Sequence, residues 1–217
     1  MKPFEVLVAD DHAIIRDGLR KLLADTHDFV VVGEAANGNA ALQAVRARDW
    51  ALLILDISMP GRNGLELIKL IRQERPRLPI LIFSMHHEEQ YAVRALRAGA
   101  SGYLSKDSDM DLLLPALRKL VAGGPYISPK VAELLAMDVS PRLQDLPHKS
   151  LSDREFEVFS RIVAGSSLTA IAHALSLSIK TVSTHKSNIL AKMQLTGQVD
   201  LVRYAMEHQL LDHMQRD

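Results

Sequence analysis

Short apolar runs alternate with longer amphipathic segments over residues 4–122, and that alternation limits the fold more than any other feature of the chain. The strand-like runs are 6–9, 29–33, 52–55, 80–83 and 102–104. Helical patterns lie between them at 13–24, 39–48, 65–73 and 88–98, and a last one at 110–122 stops at Gly123-Gly124. In the first of these, Ile14, Ile15, Leu19, Leu22 and Leu23 recur at the spacing of one helix face. The strand-like runs are β-branched or leucine-rich with little polar alternation, as strands covered on both faces must be. Five such strands with interleaved helices read as an α/β fold with a doubly wound parallel sheet.

At 217 residues the chain has room for a second domain. The character changes over 125–150: Ser128-Pro129 reads as the N-cap and first position of a short helix to about 137, and 138–150 carries Pro141 and Pro147 with little periodicity. We read 1–124 as one domain, 125–150 as a linker with a short helix, and 151–217 as an all-α domain of four helices. The chain has no cysteine, which excludes disulfides, thiolate metal sites and cysteine nucleophiles. Met1–Glu5 lacks a signal-peptide pattern, and no apolar run nears the ~20 residues that span a bilayer. A soluble, cytoplasmic protein with no membrane partner is expected. The formal net charge is zero, so local charge must decide about nucleic acid.

Asp10 and Asp11 close the first strand, Asp56 closes the third, Ser84 the fourth, and Lys106 follows the fifth. In a flavodoxin-like strand order the first and third strands flank the switch point, where open α/β sheets do their chemistry. Three neighbouring carboxylates either raise one pKa or bind a cation. Mg²⁺ suits them, because it takes one or two carboxylates and fills its shell with water, carbonyl and phosphate oxygens. Asp56 is the candidate nucleophile toward phosphorus, with the metal and Lys106 neutralising developing charge. His12 reads as a cap of the first helix, and Gly64 as relief of crowding at a helix start.

Asp10-Asp11-His12, the run Asp56-Ile57-Ser58-Met59-Pro60-Gly61, Gly64, Ser84 and Tyr103-Leu104-Ser105-Lys106 resemble the receiver domain of bacterial response regulators. The resemblance implies that a sensor histidine kinase phosphorylates Asp56. It implies that Asp11, Asp56 and the Ser58 carbonyl ligate Mg²⁺, with Asp10 acting through water. It gives Ser84 a hydrogen bond to the phosphoryl group and Tyr103 a change of rotamer. Ser58 and His86 fall where the family tunes phosphate lifetime. Met85 departs from the small residue many receivers carry, and a bulky side chain there would restrict access of a phosphodonor.

In the second half, Ser152 and Glu155 form a capping-box signature. Helical patterns follow over 152–164, 168–175, 180–193 and 199–207, with Gly165 and Ser176-Leu177-Ser178 between them. A short helix, a tight turn and a longer helix suggest helix-turn-helix. On a wheel, Val182, Ile189 and Met193 make an apolar stripe with His185 beside it, while Ser183, Thr184, Ser187, Asn188 and Ala191 lie opposite. Lys180, Lys186 and Lys192 give this helix a charge of +3, concentrated where a phosphate backbone would lie. Pattern alone leaves a four-helix interaction module equally open. The residues Leu151 to Glu155, Gly165, Ile171-Ala172, Leu175, Ser178, Lys180-Thr181-Val182, His185, Ile189 and Lys192-Met193 resemble the LuxR-type helix-turn-helix. Together with the receiver they resemble the NarL/FixJ group of response regulators.

That resemblance puts helix 180–193 in the major groove of promoter DNA. Lys180 and Lys186 then serve as candidates for phosphate, Ser183, Thr184, Ser187 and Asn188 for base reading, and Thr181 and Lys192 as further DNA-binding residues. Many relatives carry Lys in place of Ser183, so base preference does not transfer. The helix 199–207, with Leu201, Val202 and Ala205, resembles the one that pairs two copies on DNA, and a homodimer of the phosphorylated form is expected. The expected function is transcription control switched by phosphorylation, in a protein that takes part in its own phosphorylation without being a turnover enzyme. Two other readings are a phosphatase or phosphotransferase with a nucleophilic Asp and a phosphate-independent DNA-binding protein with a vestigial receiver. The first lacks a second carboxylate after Asp56, where Ile57-Ser58 stand; the second conflicts with the complete Asp10, Asp11, Asp56, Ser84 and Lys106 set.

Overall fold

The computed structural model describes residues 2–60, 63–86, 88–138, 146–208 and 210. Gly61 of the acidic-site motif, and 139–145 of the predicted linker, lie outside those residues. The chain divides into two compact units, Met1–Ala132 and Glu133–Asp217.

The first unit runs β1 (Phe4–Ala9), α1 (Ala13–Ala24), β2 (Phe29–Ala35), α2 (Gly38–Ala47), β3 (Leu52–Leu55), α3 (Gly64–Glu74), β4 (Ile80–Ser84), α4 (Glu88–Ala98), β5 (Gly102–Ser105) and α5 (Leu113–Val121). All strand pairs are parallel, in the order β2-β1-β3-β4-β5. Successive side chains of a strand point to opposite faces. On one face Val6, Val8, Ile54, Leu81, Phe83 and Leu104 pack with Leu19 and Leu23 of α1 and Leu113, Leu117 and Leu120 of α5. Leu7, Leu53, Leu55 and Ile82 alternate with them and are equally buried. Each fully buried side chain of this size contributes about 1.5–3 kcal/mol, so the runs read as strands are also the core.

Two boundaries differ from the sequence reading for local reasons. β2 extends to Ala35 because β1 continues to pair as far as Ala9↔Ala35. The predicted helix 110–122 divides into a 3₁₀ turn, Met110–Leu112, and α5. Pro115 has no N–H to give a preceding turn, so it sits in the first turn of α5, where none is needed. The helix α6 (Pro129–Asp138) follows.

The second unit holds a 3₁₀ turn, Pro147–Ser150, then α7 (Asp153–Val163), α8 (Leu168–Ala174), α9 (Ile179–Met193) and α10 (Gln198–Glu207). Phe156, Phe159, Ile162, Ile171, Leu175, Val182, Ile189, Met193, Leu201 and Ala205 form its core. Gly165 ends α7 at φ 86°, and the Ser166 amide bonds back to the Arg161 carbonyl at 3.0 Å. A side chain is strained in that left-handed conformation, which is why a glycine stops the helix there.

Candidate phosphoacceptor site and nucleic-acid interface

The parallel ladder carries the site residues one step beyond the strands. The Asp10 amide donates to the Ala35 carbonyl at 3.0 Å, the Asp56 amide to Ala9 at 2.8 Å, and the Lys106 amide to Ser84 at 2.8 Å. Asp10 and Asp56 are each only 2 % exposed, and Ser84 is fully buried. Lys106 Nζ lies between the carboxylates, 2.6 Å from Asp10 Oδ2 and 2.7 Å from Asp56 Oδ2. Burial works against its charge, but the Asp56 and Asp10 carboxylates outweigh it and hold the ammonium pKa above that of an ordinary lysine. The other Asp56 oxygen accepts the Ser58 amide at 2.9 Å. Asp56 is thus oriented from both sides.

Asp10, Asp11, His12 and Asp56 each bring one ligand atom within 4.8 Å of the others. Hard carboxylate oxygens in that arrangement fit a divalent cation such as Mg²⁺. His12 departs from its expected role. It occupies the N-cap position of α1, but its side chain makes no cap bond; Nδ1 lies 2.9 Å from Asp11 and 3.3 Å from Asp10. The adjacent carboxylates attract the ring more strongly than helix amides do. Met85 is 56 % exposed, so its side chain stands in solvent. Tyr103 is buried, and its hydroxyl donates to the His86 carbonyl at 2.7 Å. The His86 amide in turn points to Ser84 Oγ at 3.4 Å. A Cβ on Gly64 would lie 2.5 Å from both Cα and O of Ile57, so the loop that carries Ile57 and Ser58 demands glycine there.

Two contributors escaped the sequence reading. The Arg16 guanidinium donates to the Asp10 carbonyl at 2.7 Å and to Glu34 at 3.0 Å, fixing the loop after β1. Helical spacing places Arg16 one turn into α1, where long side chains lean back toward the N-terminus. Asn63 accepts the Leu65 and Glu66 amides at 2.9 and 3.1 Å, capping α3.

In the second unit, Lys180, Thr181, Ser183, Thr184, Ser187, Asn188 and Ala191 are exposed on α9, opposite buried Val182, Ile189 and Met193. The Thr184 hydroxyl donates to the Lys180 carbonyl at 3.0 Å, and that of Ser187 to Ser183 at 3.2 Å. Lys186 is half-buried and reaches Gln198 at 3.2 Å. His185 is half-buried beside the apolar stripe. Lys192 Nζ is 2.6 Å from Glu155 with its side chain 42 % exposed, so it ties α9 to the start of α7 while remaining at the surface. One expectation needs correction. Leu201 and Ala205 are fully buried in the unit's own core and cannot also meet a second copy. Helical periodicity named the apolar stripe of α10 without telling its inner side from its outer side. The exposed apolar side chains there are Val199 at 71 % and Met206 at 63 %; with Val202, Gln198 and Arg203 they line a shallow hollow of about 480 Å³.

The capping box forms as predicted: Glu155 accepts the Ser152 amide at 2.8 Å, and its own amide reaches Ser152 Oγ at 3.3 Å. Burial alone would raise the Glu155 pKa, but Lys192 and the Ser152 bonds prevail and lower it. A carboxylate depressed in the folded state stabilises above its ordinary pKa and ceases to as pH falls through the lower folded value. Glu155→Ala should therefore cost on the order of 1 kcal/mol at neutral pH, and the difference should shrink on acidification. The check is the urea midpoint of the helical unit, followed by far-UV ellipticity. A pH-independent difference would show that the carboxylate charge contributes nothing.

The family description "Response regulator receiver domain" matches residues 6–118, and "Bacterial regulatory proteins, luxR family" matches 149–205. A receiver followed by that helix-turn-helix defines the class: DNA-binding response regulators of two-component type. The chain is 34 % identical to the response regulator GacA of Pseudomonas aeruginosa over 209 residues, covering 96 % of this chain and 98 % of that one. It is 34 % identical over 206 residues to the response regulator UvrY of Escherichia coli O6:H1, covering 94 % of each. A structure of the Salmonella typhimurium RcsB response regulator superposes with TM-score 0.70 at 29 % identity, covering 95 % of this chain and 98 % of that one. Another, RcsB from Salmonella enterica serovar Typhimurium bound to promoter rprA in the presence of phosphomimetic BeF3-, gives TM-score 0.66 at 30 % identity over 93 % and 98 %. The chain belongs to the NarL/FixJ group of response regulators. No helix among the described residues is long and apolar enough to cross a membrane.

Proposed function

We propose that this protein is a cytoplasmic transcription regulator switched at Asp56 by a sensor histidine kinase, with 1–124 as receiver, 125–150 as linker and 151–217 as DNA-binding domain. The observation that carries this reading is the Asp56 carboxylate, buried and held between the Ser58 amide and the Lys106 ammonium. One Asp56 oxygen attacks the phosphorus of a phosphohistidine. The P–N bond breaks, the donor imidazole leaves with a proton, and an aspartyl phosphate remains. Asp11, Asp56 and the Ser58 carbonyl would hold Mg²⁺, with Asp10 acting through water. When bound, the ion neutralises charge on the phosphoryl oxygens. Lys106 pairs with one of those oxygens, and the Ser84 hydroxyl donates to another. Tyr103 follows by a change of rotamer. The protein thereby assists its own phosphorylation and dephosphorylation and turns over no separate substrate.

Phosphorylation biases two conformations of the receiver, and the favoured one forms a homodimer on double-stranded promoter DNA. Lys180 and Lys186 meet phosphates; Thr181, Ser183, Thr184, Ser187 and Asn188 face the major groove. Lys192, paired with Glu155 yet 42 % exposed, remains a DNA-binding candidate. Val199, Val202 and Met206 replace Leu201 and Ala205 as the pairing surface of α10. The test is DNA affinity of the full-length protein with Mg²⁺ at fixed salt, with and without beryllofluoride, on duplexes selected from a random pool. Binding at least about tenfold tighter with the mimic, as a dimer, is the expected result. Equal affinity in both arms rejects the switch.

A further inference from the structure

The start of the linker is seated on the receiver unit. The Tyr126 amide donates to the Ser101 carbonyl at 3.0 Å, and Tyr126 forms a parallel bridge with Gly102 at the start of the edge strand β5. Gly102 permits this approach, since a Cβ there would lie 2.9 Å from the Tyr126 carbonyl oxygen and 3.0 Å from its Cβ. Just beyond, the Ser128 hydroxyl donates to a carboxylate oxygen of Glu88, the first residue of α4. The same hydroxyl oxygen accepts the Val131 amide at 3.2 Å, which caps α6, and Val131 is buried. Burial and then the Glu88 carboxylate push the Tyr126 phenol pKa up, so Glu88 faces both the serine and the tyrosine of the linker.

A serine hydroxyl has one hydrogen. Given to Glu88, that hydrogen fixes the rotamer and turns a lone pair toward Val131. Glu88 also opens α4 directly after the loop that begins at Ser84, and that loop is fastened by the Tyr103 hydroxyl on the His86 carbonyl. The Ser84–His86 contact on the site side and the Glu88–Ser128 contact on the linker side thus lie two positions apart along the chain.

We infer that the Glu88–Ser128 hydrogen bond is a latch through which the phosphoacceptor site sets the first turn of the linker helix α6. The inference rests on the reading of Asp56 as phosphoacceptor. When a phosphoryl group on Asp56 engages Ser84, the loop shifts and draws Glu88 from Ser128. The serine hydroxyl then rotates freely, the α6 cap weakens, and the segment from Tyr126 to Val131 loosens from β5.

The experiment is amide hydrogen exchange on the full-length protein, for wild type, Glu88→Ala and Glu88→Gln, each with Mg²⁺ and with or without beryllofluoride. Glu88→Ala should raise exchange of amides 127–134 about tenfold without the mimic, the worth of one hydrogen bond to a charged group. Glu88→Gln keeps a carbonyl acceptor and should stay within about twofold of wild type. Wild type with the mimic should reach the Glu88→Ala level, and Glu88→Ala should respond no further. Unchanged protection in Glu88→Ala overturns the latch. So does a mimic that alters exchange over 80–88 but not over 127–134. A mimic that alters no receiver peptide overturns the Asp56 reading itself, and the latch with it.

Discussion

Asp56→Ala is expected to stay folded and to lose all response to beryllofluoride. The gain in DNA affinity expected of the wild type, at least about tenfold, should fall to a ratio of one, because the oxygen proposed to take the phosphoryl group is gone. Folding should survive because the substitution does not orphan the buried ammonium: Lys106 keeps Asp10 at 2.6 Å. The losses are one charge-assisted contact and the acceptor for the Ser58 amide, roughly 1–3 kcal/mol. Trp50 is the sole tryptophan and lies in the receiver, so its fluorescence follows receiver unfolding alone. A mimic response that persists in Asp56→Ala would move the phosphoacceptor to another residue.

Lys106→Met should do the reverse: large damage to the receiver and a new dependence on divalent cations. Asp10 and Asp56 would face each other in a site that is almost dry, with nothing to offset their charge. Removing one partner of such a buried set costs about 3–5 kcal/mol. Millimolar Mg²⁺ should recover much of it by binding the folded state alone, and so should acidification, which lets one carboxyl take a proton. In the wild type the raised Lys106 pKa means that its contribution is complete below the ordinary lysine pKa and is lost as pH rises through the folded value. The gap between variant and wild type is therefore widest near neutral pH and closes in strong alkali. Urea midpoints read from Trp50 in EDTA and in Mg²⁺ decide it. A variant as stable as wild type in EDTA and indifferent to Mg²⁺ would mean that the ammonium does not hold the carboxylates together.

The parts of this molecule that were legible in the sequence follow from short-range rules. Strand ends could be read because apolar runs stop abruptly at Asp10, Asp56, Ser84 and Lys106, and a parallel sheet brings such ends together. The capping box at Ser152 and Glu155 spans only three positions. What stayed hidden depends on partners distant along the chain. Nothing local to Lys192 announces Glu155, and nothing local to Ser128 announces Glu88. An amphipathic period also cannot say what covers each side of a short helix, so Leu201 and Ala205 looked available when the domain's own core had taken them. Pro115 was visible, but its effect depends on whether a helix starts before it or at it. Arg16 reads as an ordinary solvated residue until the loop it clamps is seen.

The hydroxyls of Thr184 and Ser187 already bond to carbonyls of their own helix. Their rotamers are settled before any duplex arrives, and short side chains have few to lose. Docking such a surface sacrifices little side-chain entropy compared with a face of arginines and lysines, which lose far more on being immobilised. Such groups cannot reach around a mismatch. On a duplex they would meet the matching base edge where they stand or leave its polar atoms unpaired, so discrimination on this face would come from rigidity and not from reach.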